Sequence, residues 1–278
     1  MRAAWATDVH LEFLKDEGFE RFVAAIRATE PEALFLTGDI AVANTVGKFV
    51  QRVRVAIGAP VLFVLGNHDF YRGSVAEVRA WAASLRAADE GVVYLPAHGP
   101  WRAADGTVVV GADGWGDGRA GSPATSTVEL NDWHLIREFA DVRAMDDRRA
   151  RLALLEKLAD QDAERLEATL RTVVDGAERV VVLTHVPPFT EACWHEGKRS
   201  DPEWLPWFTC VAMGTMLRRV AEEHPSVRFE VYCGHTHSSG VHRERENLVV
   251  HTGRGRYGTT FVEGVGLPTE GVGGGSTH

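Results

Sequence analysis

A chain of 278 residues, 45% apolar and 25% charged, holds enough apolar material for one large core or two modest ones, and a single domain is the simpler expectation. Its net charge of −9 argues against affinity built on a basic nucleic-acid footprint or a polybasic membrane patch. No apolar run approaches the roughly 18 residues of a membrane span, and the opening MRAAWATDVH lacks the apolar core and small-residue cleavage site of a secretion signal, so a cytoplasmic location is expected.

The first third alternates short apolar runs with helical spacing. RAAWATDVH reads as a strand, LKDEGFERFVAAIRATE as a helix with Phe19, Phe22, Val23 and Ile26 on one face, and ALFLTGD as a second strand. VGKFVQRVRVAIG is a helix stopped by Gly58 and Pro60, and VLFVLGNHD is the third strand. SVAEVRAWAASLRAAD is a helix begun by Ser74, with Glu77 completing a capping box. A βαβαβα order predicts a mainly parallel sheet covered by helices. GVVYL and TVVVGADGW continue as strands. A helical insertion follows over about 127–175, where the charged DDRRAR is read as a solvated helix face. RVVVLTHVPPF, a helix near VAMGTMLRRVAEEH, VRFEVYCGHTH and a hairpin-like finish complete residues 1–263, and 264–278 is expected to be a flexible tail. The three cysteines, Cys193, Cys210 and Cys233, form no C-x-x-C and are expected to be reduced thiols.

Five predicted strands end in the same way. Asp8 and His10 follow the first, Asp39 the second, Asn67, His68 and Asp69 the third, His185 a later one, and His235 and His237 another. Carboxyl ends of parallel strands face one crevice. The two-residue spacing of Asp8 and His10, and of His235 and His237, lets each pair point one way on an extended chain. Carboxylates, an amide and imidazoles without thiolate suit Mn, Fe, Co, Ni or Zn. About seven ligands exceed one site, so two divalent ions sharing a carboxylate is the economical arrangement.

The ordered pattern D-x-H, G-D, G-N-H-D, lone His and G-H-x-H, here Asp8–His10, Gly38–Asp39, Gly66–Asp69, His185 and Gly234–His237, resembles the calcineurin-like metallophosphoesterase superfamily. The resemblance spans about residues 3 to 262 and implies a four-layer α/β/β/α sandwich with a dimetal site at the strand carboxyl ends. Carried over residue by residue, Asp8, His10 and His237 would bind the first metal and Asn67, His185 and His235 the second, with Asp39 bridging. His68 would face the scissile group as general acid, oriented by Asp69. The implied reaction is in-line attack of a metal-bridging hydroxide on a phosphodiester or phosphomonoester, with manganese the natural choice for assays in vitro. GDIAVAN and GNHDFYRG depart from the protein-phosphatase branch, which favours phosphodiesterase-like relatives.

Substrate selection is expected outside these motifs. Trp115, in GADGWGDGR, and His195 and Arg199, in the Trp-rich stretch between 186 and 210, are candidate contacts for a small phosphate ester, nucleotide-like compounds included. Packing of the tryptophans onto the body is the competing reading. Two other functions stay open: a catalytically silent metal-binding scaffold, and a polynucleotide-processing nuclease, which the acidic balance disfavours.

Overall fold

Runs of four to six apolar residues are too short for helices and become strands. In the computed structural model, which describes residues 1–144 and 147–266, they form two sheets. Strands β1 (Ala3–Ala6), β2 (Ala33–Thr37), β3 (Val61–Val64) and β4 (Val92–Tyr94) are parallel neighbours in chain order. The later strands are β5 (Trp101–Arg102), β6 (Val108–Gly111), β7 (Arg179–Leu183), β8 (Trp194–His195), β9 (Lys198–Arg199), β10 (Arg228–Cys233), β11 (Gly240–Arg245), β12 (Leu248–Thr252) and β13 (Glu263–Val265). The second sheet has the order β11-β12-β10-β7-β6-β5, with parallel pairing from β12 through β6. β8 and β9 form a separate hairpin.

The strands read as continuous apolar runs because both faces of each sheet are covered. Along β2, Leu34 and Leu36 face the helices while Ala33 and Phe35 face the other sheet. β7 divides likewise, with Val180 and Val182 outward and Val181 and Leu183 inward. Trp5 meets Tyr232 edge-on in the inter-sheet core, with ring centroids 4.9 Å apart. Helices α1 (Asp16–Ala28), α2 (Val46–Ile57) and α3 (Val75–Ser84) follow the first three strands, and α2 packs on β3 and β4. After the short α4 (Leu95–His98), the insertion contains α5 (Asp132–Leu135), α6 (Arg137–Ala144) and α7 (Arg148–Arg171). α8 (Leu205–Phe208) precedes α9 (Val211–Glu223). α7 lies on β6, and α9 packs on α7 and β11. The layers are therefore α/β/β/α, the expected sandwich.

Local expectations met the structure unevenly. Gly58 adopts φ 75° as the residue that closes α2, a conformation that strains any side chain larger than hydrogen. Ser74 caps α3 by accepting from the Glu77 amide, but the reciprocal half of the box is not formed; Glu138 of α6 instead accepts from Ser74 Oγ and the Val75 amide. The DDRRAR segment is not simply a solvated face. Asp147 caps α7, Arg148 donates to the Ser126 carbonyl, and Arg151 lies over the Trp133 ring. The domain also runs past residue 263, because β13 pairs antiparallel with β1. Residues 267–278 of the expected tail lie outside the described residues. All three cysteines are buried free thiols, and no helix among the described residues is long and apolar enough to cross a membrane.

Phe35 lies fully buried between the sheets. Phe35→Ala is expected to lower unfolding stability by about 3–5 kcal/mol. Val55→Ala, on an exposed position of α2, should change it by less than about 0.5 kcal/mol. Paired urea titrations check this; equal losses would refute the inter-sheet core.

Candidate metal centre

The strands stop before the candidate ligands. β1 ends at Ala6 and β10 at Cys233, so Asp8, His10, His235 and His237 stand on loops rather than on extended chain. Their shared direction comes from left-handed backbone: Asp8 at φ 49°, His10 at 40°, Asp39 at 51°, His235 at 69° and His237 at 59°. This corrects the extended-spacing argument drawn from the sequence. Left-handed conformations strain residues with a Cβ by about 1–2 kcal/mol, and such strain gathers where function requires a geometry. Close contacts hold these loops together. The Asp8 amide donates to Gly38 O, the His10 amide to Asp39 O, the His235 amide to Asp8, and the His68 amide to Asp39 Oδ1 at 2.9 Å. A Cβ on Gly66 would lie 2.2 Å from Asp39 Oδ1, so a side chain there would enter the site.

Asp39 stands between two groups of donor atoms. On one side, Asp8, His10, Asp39 and His237 bring ligand atoms within 4.8 Å of one another. His237 Nε2 lies 3.3 Å from Asp8 Oδ1, and His10 has neither ring nitrogen hydrogen-bonded despite complete burial. On the other side, His185 Nε2 lies 3.2 Å from Asn67 Oδ1, 3.2 Å from His235 Nδ1 and 3.3 Å from Asp39 Oδ1. The far nitrogens set the tautomers. His185 Nδ1 faces the Thr37 carbonyl at 2.8 Å and His235 Nε2 faces the Trp207 carbonyl at 3.2 Å, and a proton on each of these outer nitrogens leaves the inner nitrogen's lone pair directed at the site. Four atoms that can offer lone pairs, His185 Nε2, Asn67 Oδ1, His235 Nδ1 and Asp39 Oδ1, then converge. Such a cluster fits a cation: the spacings are near the roughly 3.3 Å edge of a tetrahedron with 2.0–2.1 Å metal–ligand bonds.

Electrostatics agrees with that fit. Burial lowers His10 to about 4, and burial with His185 alongside lowers His235 to about 3, so both are neutral and ready to ligate near pH 7. Burial would raise Asp8, but its hydrogen bond to His237 and the neighbouring imidazoles hold it below the usual carboxylate range. Asp39 is pushed well above that range by burial and then by Asp8, a repulsion that a cation beside both would relieve.

His68 reaches the same cleft, but not as the sequence implied. Asp69, expected to orient its ring, instead accepts from the Ile40 and Ala41 amides at 2.9 Å and the Gly66 amide at 2.8 Å. It clamps the loop after β2 to the loop after β3. The His68 ring stacks on Tyr71 with centroids 4.2 Å apart, and its Nε2 lies 3.4 Å from the Tyr257 hydroxyl. Tyr257 also covers the His10 ring at 4.4 Å. Sequence reasoning missed both tyrosines, although Tyr71 lies two residues after the G-N-H-D motif and Tyr257 sits in a Gly-rich segment.

Around the centre opens a cleft of about 580 Å³. Its walls include Trp204, Phe208 and Tyr257, together with His195, Lys198 and Arg199 of the β8–β9 hairpin. The hairpin is tied beside the centre by the Glu196 amide, which donates to Ser238 Oγ at 2.9 Å. Trp115 is not part of this surface. It is buried and stacked on Phe70 at 5.3 Å, because the Gly-rich loop after β6 turns into the core rather than toward the crevice. Asp113 of that loop is structural as well, accepting from Arg79, Tyr94 and the Leu65 amide. Of the loop tryptophans, Trp204 is exposed to the cleft, whereas Trp207 is buried with its Nε1 donating to Ser126 Oγ.

Comparison with known proteins places this arrangement. The chain resembles a dimetal phosphatase from Danio rerio at 16% identity, with 94% of this chain and 91% of that one covered and a TM-score of 0.58. It also resembles a phosphopantetheinyl hydrolase from Mycobacterium tuberculosis, again at 16% identity, with 96% of each chain covered and a TM-score of 0.59. A protein from Thermus thermophilus aligns at 14% identity over 91% of this chain and 89% of its own, with a TM-score of 0.53. At these identities the likeness is one of fold. No curated protein sequence matches. The model of the calcineurin-like phosphoesterases matches residues 1–239, which include every ligand candidate from Asp8 to His237, and the chain belongs to that family.

Proposed function

We propose that this phosphoesterase hydrolyses a small phosphodiester in a reaction that depends on two divalent transition ions. The observation that carries the reading is the convergence of lone pairs on both sides of Asp39, with His68 at the same cleft. Asp8, His10 and His237 would hold one ion, Asn67, His185 and His235 the other, and Asp39 both. When bound, such ions supply Lewis-acid activation of water and neutralise charge on phosphoryl oxygens.

The chain's own groups then position the ester. His68 is held between Tyr71 and His10, with its backbone tied to Asp39. Burial, followed by the repulsion of His10 and His185, lowers its pKa to about 2 in the substrate-free cleft. An anionic ester brings negative charge to that ring and favours its protonated form, which donates a proton to the leaving oxygen. Trp204 and Phe208 offer a flat apolar wall, and Lys198, Arg199 and His195 offer donors for a second anionic group. A nucleotide-sized leaving group suits that combination and the cleft volume. Glu129, Glu196 and Asp201 share the same walls, so a polynucleotide finds no continuous basic groove there. A complete donor set together with His68 likewise disfavours a silent scaffold.

Elemental analysis should find about two ions per chain, and Asp39→Ala should lose both; retention of two ions in that variant would end the bridging assignment. His68→Ala should keep its metals and slow alkyl esters more than nitrophenyl esters, by a difference on the order of 10²–10⁴-fold. Equal losses on the two would assign His68 to charge stabilisation instead. A panel of nucleotide diesters, phosphopantetheinyl esters and phosphomonoesters in manganese buffer tests the substrate class, and monoesters turned over far faster than every diester would overturn it. Replacing Lys198 and Arg199 with Ala should raise KM about tenfold for esters with a second phosphate, the equivalent of about 1.4 kcal/mol. Nitrophenyl esters should respond little.

A further inference from the structure

Asn67 offers an oxygen to the second group of donors and has an NH₂ of nearly the same outline on its other side. Rotating the amide by half a turn would present two N–H donors where a cation's ligand is needed. The NH₂ of Asn67 meets a carboxyl from the helical insertion. Asp132, on α5, is buried, and its Oδ1 accepts from Asn67 Nδ2 at 2.8 Å and from the Tyr71 hydroxyl at 2.7 Å. Tyr71 Oη is also 3.3 Å from Asn67 Nδ2. With the NH₂ held by a carboxylate, Asn67 Oδ1 is left facing His185 Nε2.

The insertion is itself fixed to the segment just beyond the G-N-H-D motif. The Arg72 amide donates to Leu135 O at 2.7 Å and the Arg137 amide to Gly73 O at 3.0 Å, bracketing α5 on Tyr71's side of the cleft. Tyr71 then serves two neighbours at once, since the ring whose hydroxyl meets Asp132 is the platform on which His68 stacks.

We infer that Asp132 is a positioning residue that locks the Asn67 amide with its oxygen toward the second cation, so that the helical insertion takes part in loading that site. The inference rests on the two-ion reading above and concerns only how one ligand is held. Outer partners of metal ligands commonly change affinity 10–100-fold when removed.

The test is equilibrium dialysis of the apo full-length chain against Mn²⁺, which reads the two affinities without activity. Asp132→Ala is expected to weaken one of the two sites by about 10–100-fold and leave the other within a few fold. Asn67→Ala should weaken the same site, and the double variant should lose no more than Asn67→Ala alone, because the carboxylate acts through that amide. Asp132→Asn retains an acceptor oxygen and should recover most of the affinity, which also guards against a folding defect in the alanine variant. Wild-type affinity at both sites in Asp132→Ala, equal weakening of both, or additive losses in the double variant would each overturn the positioning role. Failure of the wild-type chain to bind a second ion would instead refute the two-ion reading.

Discussion

The arrangement depends on a buried concentration of lone pairs around Asp39, a carboxyl that burial and Asp8 push well above the usual carboxylate range. His185 and His235 have their outer nitrogens engaged by backbone carbonyls, Asn67 has its amide protons engaged by Asp132, and Asp39 stands among them. Each of those outer bonds is ordinary alone. Together they leave acceptors facing acceptors, an arrangement unfavourable in a low-dielectric interior that a cation held among them would relieve.

Much of the fold near the crevice serves to maintain that convergence. The left-handed residues at Asp8, His10, Asp39, His235 and His237 require the surrounding structure to over-determine them. The over-determination is visible in Asp69, which joins two strand-end loops through three backbone amides, and in Asp113, which joins a third strand to α3. Behind Asp113, Arg79 also meets Asp162 of α7 at 2.6 Å, so the second helical layer is tied to the same loops. A carboxyl placed this deeply is tolerated where hydrogen bonds replace its lost hydration, and Asp69 and Asp113 each accept from three donors.

The insertion changes how the cleft should be understood. Its helices do not merely decorate the sandwich: Glu138 accepts from the first turn of α3, and Asp132 reaches the Asn67 amide. The β8–β9 hairpin contributes from the opposite direction and carries both signs of charge. The candidate metal ligands therefore stand at the strand ends, which are held by backbone constraint, whereas much of the cleft wall comes from segments that the sheets do not themselves specify.

What the sequence determined follows from periodicity and local chemistry. Continuous apolar runs such as ALFLT and RVVVL require strands covered on both faces, and ligands at five strand ends require one crevice. The gathering of the seven candidate ligands and His68 at one crevice was therefore legible without coordinates. Tertiary structure decided the partners of each polar group. Nothing in G-N-H-D indicates that Asp69 will turn toward backbone amides, that Trp115 will stack on Phe70 in the core, or that a carboxylate 65 residues beyond Asn67 will fix its amide. Local sequence sets which torsions and faces are favourable. Which distant donor meets which acceptor depends on how the insertion and loops close over the sheets, a matter of packing between segments that share no periodicity.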